Sequence, residues 1–278
     1  SILITGTSTG IGRVCAIHMA KLGFKTYAGV RKESDIESLR GEGVQGIEPI
    51  IIDVTDSISI QGAFDHISAN EEFPLMAIVN NAGIAVGGVQ EVIPADDFRH
   101  LLEVNVVGVH MVTQTFLPLL RRNKGRVVNV GSISSYLSGP GAGSYAASKF
   151  AVRAMTEALQ LELMPLGMHV SLIAPGAIES DIWDKTRDYK EKMRSNVEPE
   201  VSKAYEFFIK VSEKMGDHIK PIPAINVARA LEHSLTSDKP KLAYMVGDDA
   251  KKVRMLLKLP RRLMNWLIMK HMSQIASR

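Results

Sequence analysis

Tyr145 and Lys149 lie four residues apart in Ser144-Tyr145-Ala146-Ala147-Ser148-Lys149, so a helix through this stretch puts both on one face, a turn apart. A phenol with a pKa of about 10 is a poor base at neutral pH, and an ammonium within several ångströms favours its phenolate. Ser132, in Val130-Gly131-Ser132, follows an apolar strand-like run and precedes Tyr145 by 13 residues, close enough for strand tip and helix start to converge. Its hydroxyl would steady a substrate oxygen while Tyr145 donates or accepts a proton and a separate carrier moves the hydride. Asn105 is a polar residue in an otherwise apolar helical stretch, where a buried amide is usually satisfied structurally.

Such side chains need a frame. Ile2 to Ile4, Thr26 to Val30, Gly46 to Ile52, Leu75 to Asn80, Arg126 to Val130, His169 to Ala174 and Leu242 to Val246 read as seven short strands. Most are bare apolar runs, the mark of strands buried on both faces. The segments between them carry helical spacing, as in Leu101, Val104, Val109, Val112 and Phe116 between Asp97 and Arg122. The expectation is an α/β, doubly wound (Rossmann) fold: a seven-stranded parallel sheet with helices on both faces, in one domain over residues 1–278. Ligands of such sheets sit beyond the strand C-termini, and the residues with chemical character follow strand ends: Thr5 to Gly12, Arg31, Asp53, Asn81 to Gly83, Ser132 and Pro175 to Ser180.

Ile2-Leu3-Ile4 followed by TGTSTGIG (Thr5 to Gly12) is a strand, a glycine turn and a helix start. Gly6, Gly10 and Gly12 let backbone amides approach a pyrophosphate at the helix N-terminus, where the aligned peptide dipoles favour an anion. The second strand ends in Val30-Arg31, where an NAD-selective site wants a carboxylate for the ribose hydroxyls. A guanidinium there pairs with a 2′-phosphate, so NADP(H) is expected over NAD(H), with Ser8 adding a hydroxyl to the same phosphate. The competing reading of Arg31 is a solvated charge paired with Glu33 or Asp35. Asp53 reads equally as a helix N-cap.

TGxxxGxG, then Asn80-Asn81-Ala82-Gly83, Asn105, Ser132, the YxxxK of Tyr145 and Lys149, and Pro175-Gly176, in this order over residues 1 to about 180, resemble the short-chain dehydrogenase/reductase family. The resemblance implies that Ile11 joins the glycines at the cofactor and that Asp53 meets the adenine amino group. It implies that Asn81, Ala82 and Gly83 flank the ribose, that Tyr145 and Lys149 touch the cofactor, and that Asn105 holds a water linking Lys149 to solvent. Pro175, Gly176 and Ser180 would receive the nicotinamide; the family more often has Thr at the last place, and Ser180 keeps the hydroxyl. A cofactor-binding regulator would be expected to lack Tyr145 or Lys149, and a serine hydrolase would need a GxSxG context around Ser132, which is absent.

Residues 181–222 carry no strand signal but hold Trp183, Tyr189, Tyr205, Phe207 and Phe208, which suits a lid over a lipophilic substrate. The extension 248–278, with the YAGVRK stretch at Tyr27 to Lys32, resembles the steroid and retinoid dehydrogenase branch; a 3-oxoacyl thioester reductase or broad carbonyl reductase would use the same core residues. Residues 251–278 carry eight Lys/Arg and no acid against a formal net charge of +3, so the body is mildly acidic and a general nucleic-acid surface is not expected. Interleaved Leu256, Leu257, Leu263, Met264, Trp266, Leu267 and Ile268 suit contact with an anionic bilayer surface, while Pro260 interrupts any single long helix.

The single Cys15 excludes an intrachain disulfide, the histidines are scattered without metal-ligand spacing, and neither a secretory segment nor an apolar run of about 20 residues is present. A cytoplasmic, reducing setting is expected, with the tail at a membrane periphery. The apolar residues around Asn105 and after Tyr145 suit pairing with further copies, as a homodimer or homotetramer.

Overall fold

The computed structural model describes residues 1–180, 186–189, 191, 193, 197–218 and 220–277. Seven strands form one parallel sheet in the order β3-β2-β1-β4-β5-β6-β7. They are β1 (Ile2–Thr5), β2 (Thr26–Val30), β3 (Ile47–Ile51), β4 (Ala77–Asn80), β5 (Arg126–Val130), β6 (His169–Pro175) and β7 (Ala243–Val246). All seven expected strands are present. β3 starts one residue later than its apolar run because Gly46, at φ +85°, still turns the chain.

Successive side chains of a strand point to opposite faces, and here each face meets helices. Ile2 and Ile4 of β1, with Ala28, Val30, Val79, Val128 and Ile173, pack on Cys15, Ala16 and Met19 of α1 (Gly10–Lys21). The same layer takes in Val227, Ala228 and Leu231 of a helix near the C-terminus. Leu3, Tyr27, Ile50, Ile78, Val127 and Val170 face the other way, onto Ile60, Ala63 and Ile67 of α3 (Ser57–Ser68) and Val112, Phe116 and Leu120 of α5 (Gly108–Arg122). α2 (Glu33–Arg40) follows β2, and α4 (Ala95–Leu102) precedes α5. α6 (Gly143–Leu163) carries the Tyr-Lys pair. Cys15 is buried, and burial pushes its thiol up to about 12, as suits an inert core thiol.

The apolar run from Asp97 to Arg122 is not one uniform helix. A wide π turn over Glu103–Val107, closed by the Gly108 N–H on the Glu103 carbonyl, separates α4 from α5. Gly108 then lets α5 pass close to the third crossover, since a Cβ there would come within 2.8 Å of Val54 Cγ2. Asn80 of β4 donates to Asn129 of β5 (2.8 Å) and to Thr113 of α5 (2.9 Å), and Asn129 donates to Thr156 of α6 (2.8 Å). This buried polar chain ties both catalytic-side helices to the central strands with its donors satisfied.

Later helices are α7 (Pro199–Ala204), α8 (Glu206–His218), α9 (Ile225–Thr236), α10 (Asp248–Leu256) and α11 (Arg261–Ala276). α9 supplies the Val227 to Leu231 layer described above. Pro260 caps α11, so the tail is two helices, and Met272 and Ile275 of α11 bury against Val211 with Phe207 and Phe208 of α8. Among the described residues, no helix is long and apolar enough to cross a membrane.

Candidate active site

The C-terminal ends of β1, β4, β5 and β6 open at one edge of the sheet, and the strand order reverses between β1 and β4, where a doubly wound sheet leaves its crevice. The glycine turn fills that point. Gly6 (φ +69°) and Gly10 (φ +56°) adopt left-handed backbone conformations that side chains rarely take. Gly12 is required for a different reason: a Cβ would overlap the Gly6 carbonyl oxygen and the Asn81 amide nitrogen. α1 starts after Thr9 with no side-chain cap and no acid in its first turn, so its leading N–H groups remain open to an anion. A dinucleotide pyrophosphate fits this cradle. Ile11 is partly buried against the core beside the turn.

Asn81 serves the turn itself. Its Nδ2 donates to the carbonyls of Thr5 and Gly6 (both 2.9 Å), and the Asn81 and Ala82 N–H groups both donate to Thr5 Oγ1 at 3.1 Å. Ala82 lies so close to Gly6 that a Cβ on the glycine would sit 2.7 Å from its Cα. Asn81 and Ala82 therefore shape the cradle. Gly83, next along, stands beside Asn105 and Lys149, at 3.2 Å from Oδ1 and 3.6 Å from Nζ for a hypothetical Cβ.

Arg31 is exposed at the end of β2, and no ion pair to Glu33 or Asp35 is formed among the described residues. Asp53 is not a helix cap; Asp56 caps α3 by accepting from the Ile58 N–H at 2.9 Å. Asp53 Oδ1 instead accepts from Thr55 N (2.9 Å) and Oγ1 (2.7 Å). Burial would raise its carboxyl, but the two Thr55 bonds and the charges of Arg31 and His100 outweigh it and hold the group below the usual carboxylate range. Ser8 lies inside the turn, with its carbonyl held at 3.1 Å by Arg13, whose guanidinium also reaches Ser38 and Glu42. Sequence reading missed Arg13: its partners lie in another crossover, and no local signal marks it.

Ser132, Tyr145 and Lys149 do converge. Ser132 caps a short 3-10 turn, its Oγ accepting from the Ser134 N–H (3.1 Å) while Ser135 Oγ accepts from the Ser132 N–H (3.1 Å). Ser135 is thus a buried support for Ser132, and the Ser-x-x-Ser spacing could have signalled it. The Ser132 side chain faces the Tyr145 hydroxyl closely enough to favour its ionised form. Lys149 is buried, donates to the Val130 carbonyl at 3.0 Å, and has its Nζ 5.8 Å from the centre of the Tyr145 ring.

The electrostatics differ from the simple expectation. Burial pushes the Tyr145 phenol up to about 12, offset only in part by the neighbouring Ser132 hydroxyl. The lysine has turned its charge to Val130 and is itself pushed down to about 8 by burial. With the groups this chain supplies, burial keeps the Tyr145 hydroxyl protonated at neutral pH.

Burying that ammonium has a measurable cost. The unfolded chain keeps the Lys149 proton up to its ordinary 10.5, whereas the folded chain releases it from about 8. Between these values the unfolded state binds more protons, so stability rises with pH by an amount on the order of 3 kcal/mol. Melting curves of cofactor-free wild type and Lys149→Met should therefore diverge from pH 8 to 10, the wild type gaining relative to the variant; parallel curves would refute the buried charge.

Asn105 Nδ2 donates to the Ile84 carbonyl (2.9 Å) and Ser148 Oγ (3.0 Å), and Oδ1 accepts from the Ile84 N–H (2.9 Å). The π turn aims this amide at the loop after β4 and at α6. Both donors are used, so a water at this position would be met by a main-chain carbonyl or the remaining lone pair of Oδ1. β6 ends at Pro175, the Gly176 N–H bonds the Val246 carbonyl (2.8 Å), and Ser180 lies against the glycine turn, 3.0 Å from a Cβ built on Gly10.

Of the aromatic residues expected over the site, Trp183 lies outside the described residues. Tyr189 and Tyr205 donate to Asp97 of α4 and to Glu91, both at 2.7 Å, tying their segment to the wall beside the catalytic helix, where Gln90 accepts from Ser144 at 3.3 Å. Phe207 and Phe208 are partly buried against the C-terminal tail, so they support the covering helix.

A family model for short chain dehydrogenase matches residues 1–191. The chain belongs to the short-chain dehydrogenase family. This short-chain dehydrogenase is 34% identical over 258 residues to a 3-amino-tetrahydro-pyrrolizinone reductase of Xenorhabdus hominickii, spanning 90% of this chain and 88% of that one. It is 33% identical over 267 residues to retinol dehydrogenase 16 of Homo sapiens, spanning 93% and 83%. The structure of a short-chain dehydrogenase from Streptomyces avermitilis superposes with a TM-score of 0.77 at 24% identity, covering 98% of this chain and 97% of that one. The chain is an oxidoreductase of this family, with the family's seven-stranded parallel sheet.

Proposed function

We propose that this short-chain dehydrogenase interconverts a ketone or aldehyde and an alcohol on a lipophilic, steroid- or retinoid-like substrate, using NADP(H) in preference to NAD(H). The observation that carries the chemistry is the meeting of Ser132, Tyr145 and Lys149 beside the open glycine cradle. Bound there, the nicotinamide supplies or accepts the hydride. In reduction the Ser132 hydroxyl donates to the substrate oxygen, and Tyr145, held protonated by burial, delivers its proton to that oxygen as the carbonyl carbon becomes an alcohol carbon. Lys149, whose Nζ lies 5.8 Å from the centre of the Tyr145 ring, would restore the proton to the tyrosinate after leaving the Val130 carbonyl. Asn105 fixes Ser148 and the loop after β4, and so keeps α6 in register.

Arg31 supports the cofactor choice, as an exposed guanidinium that forms no ion pair among the described residues and stands in the place where the 2′-position of the ribose is read. Ser8 and Asp53 complete the adenosine end, and Pro175, Gly176 and Ser180 the nicotinamide end. Support for a lipophilic substrate comes from the segment 186–218, which we read as a lid, and from the likeness to a retinol dehydrogenase. The tail adds exposed Met255, Leu263 and Trp266 among lysines and arginines, which suits an anionic membrane surface. Val107, Phe150 and Leu161 stay exposed on the π turn and α6, which suits pairing with further copies as a dimer or tetramer. The likeness to a pyrrolizinone reductase favours a second reading, a reductase of broader carbonyl range.

A panel of steroids, retinoids, oxoacyl thioesters and small ketones with NADPH and NADH, followed by nicotinamide absorbance and repeated with phosphatidylserine vesicles, tests these points together. Arg31→Ala should weaken NADPH by about 10- to 100-fold, the worth of a charge-assisted pair, and leave NADH unchanged. Equal use of both cofactors by the wild type would defeat the NADP(H) reading. Turnover confined to small ketones would favour the broad reductase.

A further inference from the structure

Gly176, just past the end of β6, has no room for a side chain: a Cβ there would overlap the carboxylate of Asp249. Gly247, at φ +113°, is confined by the same group, since a Cβ on it would lie 2.5 Å from Asp249 Oδ1. Asp249 Oδ2 accepts from the Ala177 N–H at 2.6 Å, and Oδ1 accepts from the Ala250 N–H at 2.9 Å. An acid in the first turn of a helix commonly faces solvent and complements the dipole. Asp248 does so here, exposed and paired with Lys251 at 2.8 Å. Asp249 turns inward instead and joins α10 to the loop that leaves β6.

That loop is held at successive points. The Ala177 carbonyl accepts from Ile222 N–H and the Ile222 carbonyl accepts from Glu179 N–H, both at 3.0 Å, and its end at Ser180 rests against Gly10 of the glycine turn. Of these ties only the one to Asp249 is made by an ionisable side chain, and its short length suits a charge-assisted bond. Asp249 lies beyond residues 1–191, the part matched by the family model.

We propose that Asp249 is a positioning residue for the nicotinamide half of the bound dinucleotide. Its carboxylate fixes the Pro175–Ala177 turn and thereby sets where the loop as far as Ser180 meets the nicotinamide. This rests on the reading above that the loop receives that ring. On the same reading the adenosine half is met by Arg31 and Asp53, which stand outside this loop, so the contribution of Asp249 is separable from theirs.

Fluorescence titration of wild type, Asp249→Ala, Asp249→Asn and Asp248→Asn with NADPH and NADH, and with the matching fragments adenosine 2′,5′-bisphosphate and AMP, tests the assignment. Losing a charge-assisted bond, Asp249→Ala should weaken the preferred dinucleotide by about 10- to 100-fold while its fragment binds as before. Asp249→Asn keeps an acceptor without the charge and should lose on the order of fivefold, again with the fragment unchanged. Asp248→Asn should match the wild type. Equal losses for dinucleotide and fragment would mark a merely structural role and overturn the proposal, as would unchanged dinucleotide binding by Asp249→Ala or, if that variant does not fold, by Asp249→Asn. A wild type that binds neither dinucleotide overturns the functional reading and this assignment together; a wild type that binds with insensitive variants overturns the assignment alone.

Discussion

Tyr145→Phe is expected to lower kcat by about 10²- to 10⁴-fold, the usual worth of a positioned proton donor. The change keeps the ring and removes only the hydroxyl, which faces Ser132. Nothing in the glycine cradle depends on that hydroxyl, so NADPH should still bind, weakened at most by the loss of one hydrogen bond, about 10-fold. The loss should fall on kcat and kcat/KM alike, because the proton moves in the transition state. A variant within about tenfold of wild type, an energy difference of only about 1.4 kcal/mol, would mean that another group delivers the proton and that the reading of the site is wrong. Since burial pushes the phenol up to about 12, the cofactor-free protein should keep the Tyr145 hydroxyl protonated well above neutral pH, as a phenolate absorbance titration would show.

Gly12→Ala is expected to remove cofactor binding almost completely, with Kd rising by about 100-fold or more, or about 2.8 kcal/mol. The added methyl has no free direction: it would overlap the Gly6 carbonyl oxygen and the Asn81 amide nitrogen. Both belong to the same knot, because Asn81 Nδ2 holds the Thr5 and Gly6 carbonyls. Relieving the overlap means displacing backbone, so the cradle loses its shape and the fold loses about 1–3 kcal/mol, as overpacked sites do. Titration with NADPH, beside a thermal melt, separates the two effects. Gly43→Ala, at a left-handed glycine with nothing within 4 Å, is the control for strain without overlap and should leave cofactor affinity intact. Unchanged binding by Gly12→Ala would exclude the glycine turn as the pyrophosphate site.

The sheet was legible because parallel strands buried on both faces are apolar throughout: Leu3 of β1 packs on one helical layer, Ile2 and Ile4 on the other, and no polar alternation interrupts them. The convergence of Ser132 with Tyr145 was legible for a related reason, since a strand end, a short turn and a helix start leave few geometries for 13 residues. The position of Arg31 was legible for the same reason, since it directly follows the apolar run that forms β2 and stays exposed there.

What sequence by itself determined about this protein is therefore the order of strands and helices, the glycine turn and the meeting of Ser132, Tyr145 and Lys149, all encoded by residues within a turn or a crossover of one another. Only the tertiary structure decided that Asn81 ties the turn through its side chain, that Arg13 is spent on Ser8, Ser38 and Glu42, and that Asp249 reaches back to Ala177. It alone decided that Lys149 faces Val130 and leaves Tyr145 near 12. The physical reason is common to all of these: hydrogen-bond partners and desolvation depend on which distant segments pack together, and neither leaves a mark in local spacing.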